Sequence, residues 1–230
     1  MYHRVLLKIS GEALSSDSSV ICRETVQDTV KKIQAVKNMG VQIGIVVGGG
    51  NIMRGRSAEG MERNRADHMG MLATTINALA LQDALEHAGV PSEVQSAVEM
   101  DRFCDSFTAR GAKRALEEGK VIIFACGSGC PFFSTDTAAA LRAAEIGADA
   151  LLLAKNVDAI YSADPKTNPN AIRYSRISYD RVVAENLRAT DLTAITLCKE
   201  QKIPIRAFAL DQIELIFRDD SIGTHIAEKE

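Results

Sequence analysis

The sequence predicts an α/β fold in which a mainly parallel sheet carries helices on both faces. Three observations predict it. Short runs rich in Val, Ile and Leu recur without strict polar alternation, as strands buried on both faces require. Stretches with helical spacing stand between them. Strand, loop, helix and strand then repeat in that order, which calls for right-handed crossovers onto one sheet.

The first strand is read at residues 5–9 and the second at 41–47, which runs straight into Gly48-Gly49-Gly50. Residues 121–126, 150–154 and 203–208 repeat the pattern. Val26, Val30 and Ile33 fall at i, i+4 and i+7 and mark a helix between the first two strands. Met69, Leu72, Ile76 and Leu79 share one face of another helix, a face that serves either the core or a dimer. A further helix is expected at 137–146, capped by Ser134 or Thr135. No linker, low-complexity stretch or internal repeat interrupts the chain, so a single domain over 1–230 is expected.

Composition narrows the function. The 230 residues hold 27 Lys+Arg against 30 Asp+Glu, a balance that argues against a dedicated nucleic-acid binder. A hydrophobic share of 46% beside 25% charged residues argues against disorder. No apolar run approaches the ~18 residues of a membrane helix. Met1-Tyr2-His3-Arg4 leads into a strand without a signal-peptide pattern, so a cytoplasmic protein is expected, with no membrane partner. The five cysteines are scattered and the four histidines lie far apart, so no zinc spacing emerges and the thiols read as reduced and structural.

In parallel α/β folds ligands gather beyond the carboxyl ends of the strands, and the unusual residues stand there. Lys8-Ile9-Ser10-Gly11-Glu12 offers a fixed positive charge beside backbone N–H groups, as a phosphate chain needs; alone, Lys8 reads equally as an edge lysine reaching water. Gly48-Gly49-Gly50-Asn51 lets a ligand approach the backbone, and Arg54 adds a bidentate phosphate contact; the plain alternative is a turn. Neither a Walker sequence nor Gly-x-Gly-x-x-Gly is present. Residues 127–136, Gly-Ser-Gly-Cys-Pro-Phe-Phe-Ser-Thr-Asp, follow a strong strand and precede a helix, where Phe132 and Phe133 could receive an aromatic base. Lys155-Asn156-Val157-Asp158, with Tyr161 and Asp164-Pro165, reads either as a binding loop or as a hairpin closed at an Asp-Pro turn. Thr190-Asp191-Leu192-Thr193 looks like a helix cap. Arg54, Arg56, Arg63 and Arg65, relieved by Glu59, Glu62 and Asp67, read as a solvated loop or a phosphate-seeking flap, with Asp67 capping the next helix or touching a sugar hydroxyl.

Taken in order, Lys8 to Leu14, Gly48 to Asn51 with Arg54-Gly55, Asp67-His68-Met69-Gly70-Met71, Gly127 to Asp136, Asn156-Val157-Asp158 and Ala163-Asp164-Pro165 resemble the bacterial uridylate (UMP) kinases of the amino-acid-kinase fold family. The resemblance spans nearly the whole chain. It implies a three-layer α/β/α sandwich with a UMP-binding lobe toward the N-terminus and an ATP-binding lobe toward the C-terminus. It implies transfer of the ATP γ-phosphoryl to UMP, with Mg²⁺ carried by the nucleotide phosphates and no direct protein ligand, in de novo pyrimidine (CTP) biosynthesis. A homohexamer activated by GTP and inhibited by UTP is also implied.

By the family pattern Lys8, Ile9, Ser10, Gly11, Gly50, Arg54, Lys155, Asn156, Tyr161 and Asp164 would face ATP. Gly49, Asp67 and the run Ser128, Gly129, Cys130, Pro131, Phe132, Phe133, Ser134 and Thr135 would hold UMP. Lys8 and Arg54 would meet the phosphoryl groups, and Asp136 and Asp191 would orient Lys8 or position Mg²⁺, in either assignment. Three positions depart from the pattern: Cys130 stands for the usual Asn, and Ala159 and Ala66 each for a Gly, so the turn at Ala159 must form without positive φ.

Two rival readings keep the fold. An acyl-phosphate kinase would not need a base-sized aromatic loop, so Phe132, Phe133 and Asp67 speak against it. A regulatory protein that has lost catalysis would lack the charged residues, whereas Lys8, Asp136 and Asp191 are all present.

Overall fold

A strand sandwiched between two helical layers sends successive side chains into opposite cores, and the computed structural model shows this in every central strand. It describes residues 2–53, 60–187 and 190–229. In chain order the elements are β1 (Arg4–Ile9), α1 (Arg23–Asn38), β2 (Gln42–Val47), α2 (Arg63–His87), β3 (Ser92–Ser96), β4 (Asp105–Ser106), α3 (Ala109–Glu117), β5 (Val121–Ala125), α4 (Thr135–Ile146), β6 (Ala150–Lys155), β7 (Ile160–Tyr161), β8 (Arg173–Tyr174), β9 (Arg176–Ser178), α5 (Tyr179–Ala184), α6 (Leu192–Glu200), β10 (Ile205–Ala209) and β11 (Thr224–Ala227).

Among the described residues nine strands form one sheet in the order β4-β3-β5-β2-β1-β6-β10-β11-β9. Neighbours run parallel except β10 and β11. Leu6, Phe124, Leu151 and Leu153 enter one core, with Ala139, Ala140 and Ala143 of α4 and Ala194 and Ile195 of α6. Val5, Leu7, Ile123 and Leu152 enter the other, with Val30 and Ile33 of α1 and Ala78 and Leu81 of α2. The three-layer α/β/α sandwich is therefore present.

The five strands read from sequence are β1, β2, β5, β6 and β10, each within a residue or two at its ends. β3, whose sequence is Ser-Glu-Val-Gln-Ser, escaped because a polar strand carries no apolar signal. The α4 helix begins at Thr135, two residues earlier than expected, with Ser134 as its cap. On α2 the face bearing Met69, Leu72 and Ile76 is exposed, while Ala66, Ala73, Asn77, Ala78, Leu81 and Leu85 turn inward. The inward face joins small residues and Asn77 to Leu81 and Leu85, and Leu79 packs partly buried against the same core, so of the two readings of the apolar face its Met69–Ile76 part is not the core one.

β10 holds a fully buried charge. Arg206 is 1% exposed, and its guanidinium donates to the carbonyls of Ile216, Asp219 and Ile222 at 2.6–3.0 Å. It gathers the chain between β10 and β11. Replacing Arg206 with Met leaves these carbonyls without their donor and is expected to cost about 3 kcal/mol in urea unfolding. A loss below about 1 kcal/mol would mean that water or rearrangement satisfies them.

Candidate functional site

The chain leaves β1 toward β2 on one side and returns to β6 on the other, so the ends of these neighbouring strands form a switch point where a crevice opens. Lys8 follows Leu6 by two residues in β1, and Lys155 follows Leu153 by two in β6. Both side chains therefore leave the sheet on the face covered by α4. The alanines of α4 bring its first turn close over the sheet. Ser134 accepts from the Asp136 and Thr137 N–H groups at 3.2 Å, fixing that turn.

Three charges meet there. Lys8 Nζ lies 2.7 Å from Asp136 Oδ1, and Lys155 Nζ lies 3.7 Å from Oδ2. The Thr190 hydroxyl donates to Oδ2 at 2.8 Å. Burial pushes the Asp136 carboxyl up, but the charges of Lys8 and Lys155 and the hydrogen bonds from Lys8 and Thr190 outweigh it, and its pKa falls to about 2. Burial pushes the Lys155 ammonium down; the charge of Asp136 resists, and Lys8 adds to the depression. Asp191 also favours the Lys155 cation from the N-cap position of α6.

Beside the triplet, the glycine segments lock into one another. A Cβ on Gly11 would stand 2.2 Å from Asn51 Oδ1 and 2.6 Å from the Gly48 carbonyl. One on Gly49 would meet the Gly70 carbonyl of α2 at 2.8 Å. Asn77, fully buried in α2, donates to the Gly48 carbonyl at 2.7 Å and pairs with the Asn51 amide. These glycines are therefore required by the protein's own packing.

The loop at 126–133 is pinned by the same helix. Cys126 and Phe132 both have left-handed backbones, with φ of 59° and 71°. The Cys126 N–H donates to Thr74 Oγ1 at 3.0 Å, and the Phe132 N–H donates to Asp67 Oδ2 at 2.9 Å. Asp67 also receives Arg63 Nε at 2.7 Å, while Glu62 supplies the helix cap. Asp67 is thus a loop anchor, not the cap that was one of its two sequence readings. Ser128 Oγ bonds the Cys130 N–H and carbonyl, each at 3.2 Å, shaping the turn that holds Gly129 and Pro131. The two phenylalanines part company. Phe132 is 60% exposed beneath the Arg63 guanidinium, whereas Phe133 lines a groove of about 400 Å³ with Ser128, Cys130 and residues of α4 and α6.

A second cavity, of about 510 Å³, opens directly after Lys155. Tyr161 and Asp164 line it on one side, with Glu185 to Leu187 among its other residues. Its size suits a nucleoside. Tyr161 donates to Asp158 Oδ1 at 2.8 Å, a bond that raises the phenol's pKa, and Asp164 Oδ1 accepts the Lys166 N–H at 2.9 Å within its turn. Asn156 reaches back to Glu12 at 3.4 Å. Ala159 forms its turn without left-handed backbone, as the sequence requires.

The structure thus brings together Lys8, Asp136, Lys155 and the ends of the glycine segments, with Ile9 buried in the core and Ser10 capping a short 3-10 turn. Arg54, expected at the phosphates, and Arg56 lie outside the described residues. Sequence reading missed Asn77 and Thr74, and gave neither Arg63 its ring partner nor Thr190, read as part of a helix cap, its carboxylate. A polar residue on the small-residue face of α2 was the available signal for Asn77 and Thr74.

The model of the amino acid kinase family matches residues 3–208. Among solved structures, the UMP kinase of Bacillus anthracis is 32% identical, with 100% of this chain and 97% of that one covered at a TM-score of 0.95. The UMP kinase of Ureaplasma parvum is 38% identical over 99% and 100%, at 0.92. The uridylate kinase of Archaeoglobus fulgidus is 30% identical over 97% and 99%, at 0.75.

The triplet makes a pH-dependent contribution to stability. Asp136 is more acidic folded than unfolded, so its contribution is complete above the ordinary carboxylate range and disappears as pH falls through about 2. We expect Asp136→Asn to lower unfolding free energy at pH 7 and to flatten the acid limb between about pH 4 and 2 by about 2 kcal/mol. Parallel acid limbs for the two proteins would refute the coupling.

Proposed function

The chain belongs to the amino acid kinase family, and from that premise we infer that it transfers the γ-phosphoryl of ATP to UMP, giving UDP and ADP. Its activity as a kinase of UMP rests on full-length likeness to bacterial UMP kinases. The single observation that carries the chemistry is the Lys8–Asp136–Lys155 triplet at the switch point.

Phosphoryl transfer asks the protein for alignment and charge neutralisation more than for covalent chemistry. In this reading Asp136, held by Lys8 at 2.7 Å, is the residue that orients Lys8, and Lys8 meets the transferring phosphoryl. Backbone N–H groups of Gly11 and Gly50 face the equatorial oxygens, and Arg54 adds its contacts there. Lys155 serves the donor phosphates, with Asn156 beside it. Tyr161 flanks the adenine, and Asp164 accepts from the adenosine. Gly49 and the loop 128–135 hold UMP, and Asp67 reads the ribose while anchoring Phe132. No general base is required, because the phosphate of UMP is already an anion at neutral pH.

Among the described residues, Asp136 is engaged by two lysines, Asp191 acts on Lys155, and no group of three acidic, His or Cys side chains gathers to cage a Mg²⁺. This arrangement suits an ion held mainly by nucleotide phosphates and water, with Asp191 as the protein's carboxylate toward it. Bound there, Mg²⁺ would neutralise charge on the β- and γ-phosphates.

The finer readings join the proposal. The exposed ridge of Met69, Leu72 and Ile76 supports self-association; the homohexameric form, activation by GTP and inhibition by UTP rest on the family resemblance. Among the described residues no helix is long and apolar enough to cross a membrane; a cytoplasmic place in pyrimidine biosynthesis is what the family resemblance implies.

The test is coupled ADP release with ATP, Mg²⁺ and each of UMP, CMP, AMP and GMP. UMP should be strongly preferred. Lys8→Met should lose about 10²–10³ in kcat while UMP affinity holds. A variant keeping more than about a tenth of the rate would remove Lys8 from the transition state. Turnover of CMP alongside UMP would place the difference at Cys130.

A further inference from the structure

Asp136 serves its two lysines unequally. Lys8 makes a contact pair with Oδ1 at 2.7 Å, whereas Lys155 stops 3.7 Å from Oδ2. Attraction alone would draw both ammonium groups into contact in this partly buried setting, where charges are weakly screened. Among the described residues, Asp136 and Asp191 attract Lys155 and Lys8 repels it. Repulsion from Lys8 contributes to the gap, yet Lys8 itself is in contact with the same carboxylate. What distinguishes the two oxygens is Thr190, whose hydroxyl donates to Oδ2 at 2.8 Å.

We propose that Thr190 is a positioning residue that occupies Oδ2, fixes the carboxylate with Oδ1 toward Lys8, and holds Lys155 out of a contact pair so that its ammonium stays directed at the donor phosphates. Thr190 is well placed for this. It immediately precedes Asp191 at the start of α6, and α6 packs on α4, which carries Asp136. One helix-helix contact therefore sets the distance of a lysine that belongs to the sheet. The kinetic part of the inference rests on the UMP kinase reading; the geometric part does not.

The test compares Thr190→Val, which keeps the shape and removes the hydroxyl, with Thr190→Ser, which keeps the hydroxyl. Crystal structures of both and steady-state kinetics give separate readouts. In Thr190→Val the Lys155 Nζ–Asp136 Oδ2 distance is expected to close to about 3 Å. The KM for ATP should then rise on the order of tenfold, with the KM for UMP within about twofold of the parent. Thr190→Ser should restore both distance and KM. A Thr190→Val protein whose Lys155 stays near 3.7 Å with an unchanged KM for ATP overturns the proposal. So does a Ser variant that behaves like the Val one. If the parent chain fails to turn over UMP with ATP, the kinase reading falls, while the distance in Thr190→Val still decides the role of Thr190.

Discussion

One buried carboxylate between two lysines fixes where the other parts of the site must stand. Asp136 is held well below the usual carboxylate range by charges from two adjacent strands. Without it Lys8 and Lys155 would repel each other in a place where water screens poorly. Several features of the fold follow from keeping the three together. Lys8 and Lys155 share strand parity with the leucines of one core, so both point to the same layer. α4 is built of alanines where it crosses the sheet, which lets its first turn come down to the lysines. Ser134 caps that turn, and Thr190 fixes the far oxygen. In the proposed reading, a phosphate arriving here would meet two preformed cations and donors already in place, with little reorganisation needed.

A second constraint comes from the opposite layer. The inward face of α2 carries Asp67, Gly70, Ala73, Thr74 and Asn77, and each touches a loop of the site. Gly70 and Ala73 admit Gly49; Asn77 holds the Gly48 carbonyl; Thr74 and Asp67 hold the two strained residues of the 126–133 loop. Left-handed backbone at Cys126 and Phe132 is costly for residues with a Cβ, so these anchors keep the loop in a conformation it would otherwise leave. The helix that exposes Met69, Leu72 and Ile76 outward thus spends small and polar side chains on the site.

Much of this was legible in the sequence, for physical reasons. Strands buried on both sides are long apolar runs, and glycines, lysines and aspartates just beyond them are conspicuous because parallel sheets place ligands there. Lys8 and Lys155 stood out at strand ends, each with a plain alternative, and Asp136 gained its role through the family resemblance; which carboxylate takes Lys8 is set by the first turn of α4 lying over the ends of β1 and β6. The polar β3 gave no apolar signal, and on α2 the choice between core and dimer stayed open because much of the core face is small or polar, with Leu81 and Leu85 the large residues on it. Arg206 stands inside the apolar run 203–208 and drew no reading, because its three carbonyl partners come from a segment ten to sixteen residues further on. Thr190 looked like part of a helix cap because its partner lies 54 residues away.

The account stands on Lys8 and Asp136 acting as one unit in phosphoryl transfer, and a double-mutant cycle on kcat for UMP phosphorylation tests it most directly. Lys8→Met, Asp136→Asn and the double variant would be measured beside the parent. If the carboxylate works by orienting the lysine, the double variant loses little more than Lys8→Met alone, because the second change removes a support for something already gone. If the two losses multiply, Asp136 acts independently of Lys8, and the triplet is not the centre of the chemistry.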